Sequence, residues 1–95
     1  MERDSEKLVI DTYLTTVVEA ANLLKKLVDI YKEGKIDTPA FQYNIAYYFK
    51  TNSDLMVTGS EEGGYTWLNT INRICGARRV NMIAKVLRDQ NIIVK

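Results

Sequence analysis

Seven apolar residues constrain this chain more than any other feature: Ile10, Leu14, Val17, Ala21, Leu24, Val28 and Tyr31 stand alternately four and three residues apart. That spacing returns to one side of an α-helix at each turn, whereas a half-buried strand needs an apolar residue at every second position. Tyr13, Ala20 and Leu27 widen the seam, and Thr12, Thr15, Glu19, Asn22, Lys26 and Asp29 fill the opposite face. The pattern predicts a long helix over about 5–33, capped by Asp4 or Ser5 and ended by a left-handed Gly34.

A second helix over about 38–51 is expected, with Thr38 as cap, Pro39 in the first helical position, and Phe41, Ile45, Tyr48 and Phe49 as its buried side. Leu55, Met56 and Val57 read as a short strand, and 58–64 as a flexible loop. From about Thr66 the helical pattern resumes through Trp67, Leu68, Ile71, Ile74 and Cys75. A second apolar series follows, out of phase, at Val80, Ile83, Ala84 and Leu87. Continuing the first series would bury Arg78, so two helices meeting at Gly76 are predicted, with a short strand at Ile92–Val94. The expected fold is mainly α: one small helical domain spanning 1–95, with a long N-terminal helix, a helix-turn-helix-like unit over 65–95 and one or two short strands.

Composition narrows the function. A chain with no histidine and one cysteine, Cys75, cannot form an internal disulfide or a Cys-based zinc cage, and it lacks the commonest general base. Cys75 falls on an apolar helix face, as a buried structural thiol does. The run Gly59–Gly64 lacks the Lys-Ser/Thr pair of a phosphate loop and carries Glu61 and Glu62, which repel phosphate. The expectation is a protein that binds rather than catalyses, without metal or cofactor. No apolar run reaches the roughly 20 residues of a membrane span, and the acidic N-terminus is unlike a signal peptide, so the cytoplasm is the expected compartment.

Overall charge is +1, but its distribution is uneven. From Gly63 onward the charged residues are Arg73, Arg78, Arg79, Lys85, Arg88 and Lys95 against Asp89 alone. Clustered cations of this kind are the footprint of a phosphate partner, and they are equally at home as the solvated face of an amphipathic helix. Arg73, Arg78, Arg79, Asn81, Lys85 and Arg88 are the candidate nucleic-acid contacts: arginine pairs with guanine or phosphate, asparagine with adenine, and lysine places a point charge on phosphate. Of the aromatic residues, Tyr43 and Tyr47 fall off the buried side of the second helix and could stack exposed bases.

Val80, Ile83, Ala84, Leu87, Asn91, Ile92 and Ile93 resemble the recognition helix and following strand of winged-helix DNA-binding proteins. Asn91 stands where that family has its left-handed turn residue, although the spacing from Gly76 to Val80 is tighter than that family's turn. The resemblance covers residues 66–95 and implies a DNA-binding regulator, most simply of duplex DNA, with RNA or a single strand as other partners. A homodimer through the 8–31 helix would set two basic helices side by side. In size, helix content and charge the chain is also similar to the small helical subunits of CRISPR effector complexes, which implies instead a non-catalytic subunit or adaptor of a larger ribonucleoprotein assembly.

Overall fold

The structure is a computed structural model that describes residues 14–60 and 62–95. Among the described residues four helices, Val17–Lys32 (α1), Thr38–Asn52 (α2), Asn69–Cys75 (α3) and Ala77–Asp89 (α4), enclose one apolar core. A 3-10 turn at Ser53–Leu55 leads from α2 into a hairpin of Val57–Ser60 (β1) and Gly64–Trp67 (β2). Mainly helical architecture is thus what the periodicities predict.

The start of α1 is not. Thr16 accepts a hydrogen bond from the Glu19 amide at 3.1 Å, and the Glu19 carboxylate accepts from the Thr16 amide at 3.2 Å, forming a capping box. The amide and hydroxyl of Thr15 donate to the same carboxylate oxygen, at 2.8 and 2.9 Å. These bonds hold the Glu19 carboxyl below its ordinary pKa, the Thr15 amide first among them. The helix therefore begins at Val17 and not near residue 5; Leu14 is buried but lies before the helix, and residues 5–13 of the predicted helix, with the Asp4 or Ser5 cap, fall outside the described residues.

Ala20, Ala21, Leu23, Leu24, Leu27 and Val28 of α1 are buried by α2, α3 and α4 of the same chain. The described part of the seam is consequently largely spent inside the monomer, while residues 8–13 of the helix on which self-pairing is expected lie outside the described residues. At its far end, Gly34 takes φ +79°, and the Gly34 and Lys35 amides donate to the carbonyls of Tyr31 and Ile30 at 3.0 and 2.9 Å. That pair of bonds is a Schellman ending with the glycine where predicted.

Asp37, not Thr38, caps α2, its carboxylate accepting from the Ala40 amide at 2.9 Å. Thr38 is engaged elsewhere, with its hydroxyl 2.9 Å from the Tyr31 hydroxyl, while the Tyr31 ring stacks on Phe41 at 4.2 Å between centroids. Phe41, Ile45, Tyr48 and Phe49 are buried as predicted. Asn44, fully buried among them, donates to the Ala40 carbonyl at 2.8 Å, and its Oδ1 has no partner among the described residues.

Where the sequence reads 58–64 as a loop, Val57–Ser60 and Gly64–Trp67 pair as a hairpin. Val57 pairs with Trp67, Thr58 with Thr66, Gly59 with Tyr65 and Ser60 with Gly64, in antiparallel register. Gly59 has φ +111°, and a Cβ there would collide with the Gly64 carbonyl oxygen, so the hairpin tolerates no side chain at that position. Trp67 accordingly ends β2 with its ring buried, and α3 starts at Asn69, three residues later than the apolar pattern indicates. Leu55, given to a strand by its sequence, sits in the 3-10 turn.

Candidate nucleic-acid interface

The candidate interface is built around α4. Gly76, at φ +84° and ψ 158°, occupies a backbone region open to glycine alone, and it is the single residue between α3 and α4. A helix-turn-helix has a turn of about three to four residues at this point. The abrupt link resets the helical phase as the sequence indicates, turning Val80, Ile83, Val86 and Leu87 into the core.

Arg78, Asn81, Lys85 and Arg88, three and four residues apart, then share the exposed side of α4. Three of these four predicted contacts, Asn81, Lys85 and Arg88, line an open groove of ≈ 480 Å³. Arg78 extends the same stripe toward the start of the helix but is not part of the lining, and Arg73, exposed on α3, is outside it as well.

Arg79 behaves differently. Its Nε and Nη2 donate to the two carboxylate oxygens of Asp29 on α1, at 2.8 and 3.3 Å, and its Nη1 donates to the Cys75 carbonyl at the end of α3, at 2.9 Å. All three bonds are internal, so Arg79, expected among the nucleic-acid contacts, spends its guanidinium on a clamp that joins three helices. The guanidinium hydrogen bond holds the Asp29 carboxyl below its ordinary pKa and raises that of Arg79. Cys75, buried beside this clamp, donates its thiol hydrogen to the Ala21 carbonyl at 3.3 Å, and burial pushes its pKa up. That is the setting of an inert structural thiol.

The other wall of the groove comes from the chain's return. Asn91 takes φ +67°, and the amides of Asn91 and Ile92 donate to the carbonyls of Arg88 and Leu87, each at 2.9 Å. This second Schellman ending reverses the chain at the residue expected to do so. The returning segment runs beside β2: the Tyr65 amide donates to the Ile93 carbonyl at 3.1 Å, and the Lys95 amide donates to the Tyr65 carbonyl at 2.7 Å. Val94 and Tyr65 form a single parallel bridge in place of the predicted Ile92–Val94 strand.

Val94 and Lys95 thereby face Lys85 and Arg88 across the groove, with Trp67, Val80 and Ala84 among the apolar lining and Asn72 of α3 contributing a second amide. Among the described residues, none that lines the groove is acidic. Sequence reasoning gives Trp67 to the core and does not find Asn72 and Lys95 as site residues; the charge of Lys95 is plain in the sequence, but its place depends on the reversal at Asn91.

Tyr43 and Tyr47 are 57% and 42% exposed and lie 6.2 Å apart, stacked on each other. They occupy the side of α2 opposite Phe49, whose ring meets Trp67 edge-on at 6.4 Å, so the groove does not include them. Among the described residues no helix is long and apolar enough to cross a membrane.

No curated protein and no solved structure matches this chain. Residues 11–88 match a family model, and the chain belongs to that family, described as "Conserved hypothetical protein".

Proposed function

We propose that this protein binds nucleic acid without catalysing a reaction on it. The observation that carries the reading is the meeting of Asn81, Lys85 and Arg88 with Lys95 in one groove that has no acidic residue among its described lining residues. Cations gathered on one surface without interspersed carboxylates recruit a polyanion, and each phosphate neutralised releases counterions. Lys85, Arg88 and Lys95, with Arg78 beyond the groove, serve as phosphate contacts, and Asn81 and Asn72 offer amide donors and acceptors to base edges. The non-catalytic half of the reading rests on the missing histidine and on a single cysteine that is buried and hydrogen-bonded.

A duplex-DNA regulator is the second reading. It is favoured by the stripe from Arg78 to Arg88, whose rise of about 15 Å at 1.5 Å per residue is comparable with the width of the DNA major groove.

The test is fluorescence anisotropy of labelled duplex DNA, single-stranded DNA and RNA at two salt concentrations, with wild type and an Arg78→Ala/Arg88→Ala variant. The reading expects salt-sensitive binding to at least one of the three, weakened in the variant. Absence of binding to all three at low salt would reduce the stripe to a solvated helix face.

A further inference from the structure

We infer that the groove between α4 and the 92–95 segment receives a base from an unpaired nucleic-acid strand, so that the preferred ligand is single-stranded. The inference rests on the nucleic-acid reading and deepens it.

Its basis is the distribution of chemistry within the groove. The cations Lys85, Arg88 and Lys95 surround an apolar floor, in which half-buried Ala84 and Val94 lie over the buried Trp67 and Val80. A phosphate backbone has no use for an apolar surface. A duplex keeps its base faces stacked inside, whereas an unpaired strand can offer the flat face of a base to such a surface while its phosphates meet flanking cations. The open groove, ≈ 480 Å³, is of a size to take one small organic group rather than a double helix. Asn81 can then read the edge of the seated base, since an amide supplies both donor and acceptor. The cationic stripe continues past the groove to Arg78, beyond the reach of one nucleotide, which favours a strand over a free nucleotide.

The shape of the groove depends on the return of the chain. Lys95 is drawn against the hairpin by its amide bond to Tyr65, and its side chain lies over Gly64, where a Cβ would come within 2.9 Å of the Lys95 Cε. The wall opposite α4 is therefore held in place by backbone pairing and close packing.

Trp67 is the only tryptophan in the chain and lies in the groove, so its emission reports on occupancy. The experiment titrates the protein with a short oligothymidylate, a duplex of equal length and thymidine monophosphate. Trp67 emission and the anisotropy of labelled nucleic acids are read together. The expected result is a change in Trp67 emission with oligothymidylate, and an affinity for it about tenfold or more above that for the duplex. Ala84→Leu, which fills the groove without altering charge, and Asn81→Ala, which removes the amide, should each weaken oligothymidylate binding. Far-UV circular dichroism establishes that both variants are folded.

Duplex binding equal to or tighter than single-strand binding, or single-strand affinity unchanged in both folded variants, would overturn the groove inference and leave the nucleic-acid reading intact. Thymidine monophosphate binding as tightly as the oligonucleotide would overturn the choice of a strand. Failure of all nucleic acids to bind would overturn both the inference and the reading beneath it.

Discussion

Arg78 and Arg79 are neighbours with identical chemistry, yet α4 turns them to different tasks. Arg78 is exposed on the outer stripe; Arg79 is half-buried, spending its guanidinium on Asp29 and the Cys75 carbonyl. A one-residue step along a helix rotates a side chain by about 100°, which is enough to carry it from solvent to the seam with another helix. The same division runs along the whole of α4: Val80, Ile83, Val86 and Leu87 hold the domain together, while Arg78, Asn81, Lys85 and Arg88 are free of that work. The inner side should therefore govern stability and the outer side binding, and substitutions can be chosen to break that separation.

The largest effect is expected from Ile83→Ala on the inner side. Ile83 is almost fully buried, and truncating such a residue costs about 2–5 kcal/mol through reduced burial and the cavity left behind. Urea unfolding measures it, and a destabilisation below about 1 kcal/mol would mean that α4 is poorly packed.

Gly76→Ala should follow, at about 1–3 kcal/mol. A Cβ at Gly76 meets nothing within 4 Å, so the penalty is one of backbone conformation alone. Relief of the strain by merging α3 and α4 would disturb the phase offset that separates the two sides. Thermal unfolding combined with oligonucleotide binding distinguishes simple destabilisation from that rearrangement.

Arg79→Ala should destabilise less than either, because the Arg79–Asp29 pair is partly solvated and salt screens it. Its signature is in the pH dependence. Arg79 holds the folded Asp29 pKa below its ordinary 3.8, so the folded state gains stability above that value and loses it as pH falls through the folded pKa. The stability gap between wild type and Arg79→Ala should thus be open near neutrality and close in acid, as followed by unfolding at a series of pH values. A gap that widened as pH fell would contradict the clamp. The Arg78→Ala/Arg88→Ala variant should show the smallest effect on stability, within about 0.5 kcal/mol, as expected for exposed positions away from the core.

Several features of the fold are legible in the sequence because they depend on local chemistry. Gly34 and Asn91 are residue types that tolerate positive φ, each placed just after an apolar series, and both form Schellman endings. The division at Gly76 follows from the phase of the apolar residues. The start of α1 is hidden although Thr16 and Glu19 form a capping-box sequence, because Leu14 continues the seam across the boundary and is buried without being helical. Four-residue strands carry too little alternation to be read, and the glycines and acids of Glu61–Gly64 have the composition of a loop although the flanking residues pair.

The candidate interface is legible on one side. Helical spacing alone groups Arg78, Asn81, Lys85 and Arg88, whereas the opposing wall requires knowing that the chain reverses at Asn91 and lies along β2. Withdrawal of Arg79 from the set is not visible either, since Asp29 lies 50 positions away on a face whose spacing assigns it to solvent.

The most direct test of the central claim is the salt dependence of nucleic-acid affinity in wild type and in Lys85→Ala/Arg88→Ala. The account predicts that the logarithm of the wild-type binding constant falls linearly with the logarithm of salt concentration. The double variant should bind more weakly with a slope shallower by about 1 to 2, because two fewer phosphates are neutralised, while unfolding as wild type does. A variant with unchanged affinity and slope would contradict the assignment of the α4 stripe as the binding surface.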